Sequence, residues 1–265
     1  MAKNNNLTDF LKGIADKLRS VLGTSELIDP QDFETKIDTV YQKGKQDSNS
    51  DFWDDVFTPN GTPRTKYDYL FANSFWNDAL WETIPKSYTM KPVSYWGKGF
   101  QSVFTNSVLK NPFKTSLNPT GKITLNTAEV TNCNYAFSGS SIEHLPTIDA
   151  SCDTGGLYYM CYGAKKLISI DKLVLRATGS NTFVQTLTDC VALTNIVIEG
   201  SIGQDGFNVS SCTKLTHDSL LSIINALKDY SGTTTAKTVT LGATNLAKLT
   251  DAEKATATEK GWTLA

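Results

Sequence analysis

The sequence has no apolar run approaching the roughly 20 residues that cross a bilayer, so no membrane insertion is expected. It also has no excess of either charge: 25 basic residues stand against 27 acidic ones, a net charge of −2. Nucleic acids and anionic membranes call for a polybasic footprint, so neither is an expected partner. The opening MAKNNNLTDFLKG lacks the apolar stretch and small-residue cleavage site of a secretory signal, and export by that route is not expected. Histidine is scarce. His144 lies beside Glu143 in a turn and His217 beside Asp218 ahead of a helix, and neither has a nucleophile motif near it. The cysteines, Cys133, Cys152, Cys161, Cys190 and Cys212, are spaced 19, 9, 29 and 22 residues apart, with no CxxC pair and no zinc-type clustering. An odd number suits no disulfide framework, and all five are expected as small buried hydrophobes. Catalytic, metal-binding and cofactor-binding residues are expected to be none.

What is present is a composition that can fold, 40% hydrophobic and 20% charged, in a length that suits one large domain or two small ones. The first fifty residues read as helical. Leu7, Leu11, Ile14, Leu18 and Val21 are spaced 4, 3, 4 and 3, which lays one apolar stripe along a helix from an Asn6 cap to Gly23. A second helix starts at Asp29-Pro30 and carries Phe33, Ile37 and Val40 on one face. The polar stretch from Gln42 to Asp51 closes this segment as a linker or helix end. Two such short helices are marginal in water. They pack on the rest of the chain or on something outside it, and self-association through the first stripe is expected.

From Phe52 to Phe104 the chain holds 14 of its 27 aromatic residues, including Trp53, Trp76, Trp81 and Trp96. Seven prolines and glycines break this stretch, which favours short strands and turns over long helices. The rings either pack an irregular entrance to the core or form a contact surface; Trp76, Trp81 and Trp96 are the candidates for contact. Asp54-Asp55 is no glycosidase pair, because adjacent residues diverge on a helix and face opposite ways on a strand. Trp96-Gly-Lys-Gly-Phe100 lacks phosphate-loop spacing.

The strongest signal is a repeat. YLFANSFW from Tyr69, SVFTNSVL from Ser102, YAFSGSSI from Tyr135, YMCYGAKKL from Tyr159, QTLTDCVAL from Gln185 and FNVSSCTKL from Phe207 share one pattern. An apolar third position is followed by small polar residues and then an aliphatic or aromatic anchor. The third positions, Phe71, Phe104, Phe137, Cys161, Leu187 and Val209, are separated by 33, 33, 24, 26 and 22 residues. Short β-like runs follow at Leu145–Ile148, Leu167–Leu175 and Leu193–Ile198. The polar group predicts a tight turn and the run after it one strand, and a unit of this length cannot bury its own apolar face. Stacked units of this kind make a leucine-rich-repeat solenoid; an all-β sandwich with regular strand spacing is the alternative. Tyr158, Tyr159 and Tyr162 in the middle unit are further contact candidates, since alternate positions face outward.

The chain ends in what reads as a cap: a helix over Asp218–Tyr230, a strand at Thr238–Leu241, a capping box at Thr250–Glu253 opening a helix to about Lys260, and a last strand at Trp262–Leu264. The expected organisation is mixed α/β, with a helical attachment segment over 1–50, a repeat region over 51–215 and a C-terminal helix–strand cap over 216–265.

Two stretches carry a resemblance. Ile14, Ala15, Asp16, Leu18, Arg19, Gly23 and Ser25, then Ile28, Pro30, Asp32, Phe33, Lys36 and Ile37, then Tyr41, Lys43, Gly44, Lys45 and Gln46 match a segment of tail-region and uncharacterised proteins of temperate phages of gut bacteria. The remainder, with SDFWDDV, the repeats and the ending AKLTDAEKATATEKGWTLA, is similar to the phage-borne branch of the BspA-type leucine-rich-repeat family. The resemblance implies a virion protein of the tail or another exposed position. Its N-terminal helices would bind other virion proteins, and its repeats would present a surface to host glycan or protein. It transfers no catalytic residue. A bacterial surface adhesin of the BspA type and a virion-borne glycan-degrading enzyme are the alternatives.

Overall fold

The computed structural model describes residues 16, 19, 52–72, 76–93, 100–233 and 236–265. The chain divides into two compact units, Met1–Asp55 and Val56–Ala265. In the first, Asp16 and Arg19 are helical and form an ion pair one turn apart. The stripe of Leu7, Leu11, Ile14, Leu18 and Val21 lies outside the described residues, as does the helix expected after Asp29.

The second unit is mixed α/β, built from small sheets. Strand β1 (Tyr88–Met90) pairs with β2 (Ile123–Leu125), β3 (His144–Asp149), β4 (Ser169–Val174) and β5 (Asn195–Glu199) form a three-stranded sheet in that order, and β6 (Lys237–Val239) pairs with β7 (Trp262–Leu264). Every one of these pairings is parallel, which sets the unit apart from an antiparallel sandwich. The helices are short: α1 (Asp78–Trp81), α2 (His217–Ala226), α3 (Ala243–Leu246) and α4 (Asp251–Glu259). The three β-like runs seen in the sequence become β3, β4 and β5. Their register puts Leu145 beside Ile170 and Ile196, and Ile148 beside Leu173 and Ile198. All six are buried, so the strands contribute two aliphatic rows to one core.

A second column runs through the turns. All six third positions, Phe71 through Val209, are at most 1% exposed. The Phe71 and Phe104 rings stack with centroids 5.1 Å apart at 16°, and Phe104 and Phe137 at 5.8 Å and 13°. Such pairs add roughly 0.5–1.5 kcal/mol each beyond the area they bury. The later units are shorter and fill the same column with Cys161, Leu187 and Val209. The described sixth positions are all small and buried: Ser107, Ser140, Ala164, Cys190 and Cys212. In the last two the thiol donates to the third-position carbonyl of the preceding unit, Cys190 Sγ to Cys161 O at 3.1 Å and Cys212 Sγ to Leu187 O at 3.3 Å. Four cysteines thus serve as buried hydrophobes. Cys152 departs from that expectation and is exposed, because it sits in the bend that follows β3 rather than at a repeat core position.

At the far side of β5 a helix replaces the next strand. Ser219 Oγ accepts from Ile196 N at 3.0 Å and Ser222 Oγ from Ile198 N at 2.7 Å, so two hydroxyls of α2 satisfy a sheet edge. The helix is shorter than its apolar pattern predicts. It ends at Ala226 because Leu227 turns extended and pairs with Ile202, whose N–H donates to Ala226 O and whose carbonyl accepts from Lys228 N. The strand expected at Thr238–Leu241 starts and stops one or two residues earlier, as β6, since Thr240 bridges to Asn208 on the other side. The C-terminal elements otherwise follow the sequence: the Thr250–Glu253 capping box closes in both directions, Gly261 takes φ +82 after α4, and β7 covers Trp262–Leu264.

Candidate contact face

Four of the turns are shaped by two left-handed residues each, and the first turn shows one among the described residues. The first positions Tyr69, Ser102, Tyr135, Tyr159 and Gln185 have φ of 59, 55, 57, 54 and 49°, and the fifth positions Asn106, Gly139, Gly163 and Asp189 have 53, 64, 68 and 62°. The fifth positions hold residues that tolerate this region; the first positions do not, and a side chain there costs about 1–2 kcal/mol. At Gly139 a Cβ would meet the end of the Asn106 side chain, which would have to move aside. The strain is held in place by backbone pairing between turns. Phe71 N donates to Val103 O, Phe104 N to Ala136 O, Phe137 N to Met160 O and Cys161 N to Thr186 O, at 2.7–3.0 Å. A second rung follows each of the later pairs, Asn106 to Ser138, Gly139 to Tyr162 and Gly163 to Thr188. Five turns are joined this way. The sixth is not: Phe207 is buried and Val209 N instead donates to Thr240 O.

First and fourth positions border this ladder, and all of them are at least partly exposed except Ser102, which is buried. In chain order the pairs are Tyr69 with Ala72, Ser102 with Thr105, Tyr135 with Ser138, Tyr159 with Tyr162, and Gln185 with Thr188. None of the ten is charged, in a chain that is 20% charged. Tyr69 is 61% exposed, and Tyr135 and Tyr162 are 39% and 37% exposed. The Tyr135 and Tyr159 rings stack 5.0 Å apart at 4°, and Tyr162 meets Tyr159 edge-on at 5.6 Å. Thr105 and Ser138 donate to the carbonyls of Tyr135 and Tyr162, which ties the hydroxyl side chains to the next turn. The result is a band of phenols, hydroxyls and one amide.

Of the contact candidates drawn from the sequence, Tyr159 and Tyr162 come together here. Tyr158 does not join them; it is half-buried one residue outside the band, its hydroxyl 3.4 Å from Thr182 Oγ1. Trp76 and Trp81 are corrected: both are only 7% exposed and meet Phe71 edge-on at 5.1 and 5.3 Å, where they close the end of the phenylalanine column. Trp81 Nε1 is satisfied by Pro112 O at 3.1 Å. Trp96 lies outside the described residues. Sequence reading missed Tyr69 and Tyr135, although both occupy the repeat position of Tyr159.

The strand side of the unit carries a groove of about 450 Å³, between the Ser116–Leu117 loop and the start of α2. Its loop wall is pinned by Ser116, whose N–H and hydroxyl both donate to the Asp171 carboxylate. Ser169 lies in its lining and is 2.9 Å from His144 Nδ1. That contact follows from strand register, since the two residues are direct partners across β3 and β4. Among the described residues no carboxylate bonds to His144, so the pair lacks the third member that orients a base. His217 Nε2 lies 3.0 Å from Glu253 Oε1, joining α2 to α4. Asp54 and Asp55 are neighbours on a helical turn, where they diverge. Asp153 is the one carboxyl in the described chain that burial pushes up to about 6; it accepts from Cys133 N and Gly156 N and shapes the bend after β3. Among the described residues no cluster of histidine, cysteine and carboxylate is placed to hold a metal.

No protein-family model, curated protein or solved structure matches the chain.

Proposed function

We propose that this chain is a non-enzymatic contact protein of a phage particle, displayed on the tail or another exposed position for attachment or host recognition. In this reading the unit from Val56 onward is a short leucine-rich-repeat solenoid of BspA type, and residues 1–50 bind it to other virion proteins and to copies of itself. The observation that carries the reading is the five-turn ladder with its uncharged band, a regular outer surface built at the expense of backbone strain. Strained residues persist where the fold over-determines them, and their clustering on one face is a mark of function. The resemblance of the first fifty residues to phage tail-region proteins supplies the particle. Mass spectrometry of purified particles tests the assignment: the chain is expected among the virion proteins, and its absence overturns the reading. Deleting residues 1–46 is expected to lower the oligomeric state measured by light scattering.

A further inference from the structure

We infer that the turn-face band binds an uncharged, linear oligosaccharide; this rests on the contact role proposed above and names its ligand. The argument begins with charge. The ten band positions carry none; in the same turns Asp68 flanks the first, Asp189 the last, and Lys165 and Lys166 follow Tyr162 by three and four residues in the middle one. Phosphates, sulfates, uronic acids and nucleic acids find no cation among the ten band positions themselves, which favours a neutral ligand along the band.

The band's size argues against a protein. Rungs of paired backbone lie about 4.8 Å apart, so five turns span roughly 19 Å. A strip of that length and two side chains wide offers a few hundred Å², against the about 800 Å² that each partner buries in a stable protein complex. A narrow chain molecule fits the strip where a protein surface does not.

The chemistry then selects among narrow neutral chains. Tyr135 and Tyr162 present apolar ring surface that ends in a phenol; Thr105 and Ser138, whose O–H groups go to the next turn's carbonyls, keep lone pairs that accept, and Thr188 adds a hydroxyl that both donates and accepts. Sugars carry the matching pair, apolar C–H patches and hydroxyls of both kinds. The stacking of Tyr135 on Tyr159 fixes the rings before any ligand arrives, which lowers the ordering cost of binding.

The full chain is titrated by calorimetry with neutral linear hexasaccharides (gluco-, manno-, galacto- and xylo-) and with hyaluronan hexasaccharide as the anionic counterpart. At least one neutral probe is expected to bind saturably, at least tenfold more tightly than hyaluronan. Its affinity should change less than twofold between low and high salt, because no ion pair is screened. Tyr162→Ala and Thr188→Glu are each expected to weaken binding tenfold or more with an unchanged melting temperature. Failure of every neutral probe to bind at millimolar concentration, a salt-sensitive affinity, or two variants that bind like the parent overturns the inference. The contact role fails separately. Bacterial cells bound by the parent but not by Thr188→Glu, and still bound after periodate destroys their glycans, overturn the sugar assignment alone. Cells bound by neither protein overturn the contact role and this inference with it.

Discussion

Tyr135 and Tyr159, 24 residues apart in sequence, hold their rings parallel at 4° while both backbones sit at positive φ. The stack and the strain are opposed: an aromatic pair adds about 0.5–1.5 kcal/mol, and a left-handed side-chain residue costs about 1–2 kcal/mol. Gln185 has the same conformation and an exposed side chain without a ring to stack. Gln185→Gly is therefore expected to stabilise the protein by about 1 kcal/mol, seen as a raised denaturation midpoint. Tyr159→Gly removes strain and stack together and is expected to gain less or to lose. A Gln185→Gly variant less stable than the parent would show that the ladder, rather than glycine's freedom, sets the energy of that turn.

Ser140 occupies a sixth position where the neighbouring unit has Ala164, and its buried hydroxyl has no hydrogen-bond partner among the described residues. A buried polar group left unpaired costs about 1–3 kcal/mol. Ser140→Ala is expected to raise stability by about 1 kcal/mol in urea denaturation, with an unchanged m-value. Cysteine at this position is expected to do as well, since Cys190 and Cys212 reach a carbonyl from the equivalent place.

The parts of the fold that obey local rules could be read directly. Alternation and aliphatic content located β3, β4 and β5, and the Thr250–Glu253 box and Gly261 bracketed α4, because each depends on neighbours in sequence. The turns were visible as a pattern but not as a conformation. Tyrosine, serine and glutamine at the first positions carry none of the glycine or asparagine signal that marks a left-handed residue, and only pairing with the adjacent turn keeps them there. The candidate contact face was half visible for the same reason: Tyr159 and Tyr162 stood out locally, whereas Tyr69 and Tyr135 join them through stacking of distant units. Trp76 and Trp81 were ambiguous because a tryptophan suits a core and a surface equally, and the Phe71 column decided between them.

The edge of β5 gives a sharper test of how the sheet ends. Ser219 is 4% exposed and Ser222 is half-buried, and each accepts a strand N–H. Ser219→Ala leaves Ile196 N without an acceptor where water cannot enter, an expected loss of about 1–3 kcal/mol. Ser222→Ala should cost less, since Ser222 and Ile198 are less deeply buried than Ser219 and Ile196. Hydrogen exchange at the two amides separates the cases: Ile196 is expected to exchange faster only in the first variant and Ile198 in the second. Equal protection in the parent and both variants would mean that α2 shields the edge by packing alone.

Asp153 makes stability depend on pH. Its carboxyl is pushed from 3.8 up to about 6, chiefly because burial disfavours its charge, while N–H donors from Cys133 and Gly156 oppose the rise. Arg176 approaches this residue only at the backbone carbonyl, 3.1 Å from Nη1. The folded state therefore binds its proton more tightly than the unfolded chain, and between pH 4 and 6 folding takes up protons. Stability contributed by this group is present below pH 4, falls as pH rises through 6, and is flat above 7. Lowering the pH from 7.5 to 5 should stabilise the fold by about 1–2 kcal/mol through Asp153. Asp153→Asn cannot titrate and has one acceptor for two donors, so it is expected to be less stable at pH 5 and to lose this rise. The difference in unfolding free energy between parent and variant, measured by urea denaturation at both pH values, isolates the group from the other carboxylates. A difference that stays constant from pH 7.5 to 5 would mean that Asp153 ionises in the fold as it does in the open chain.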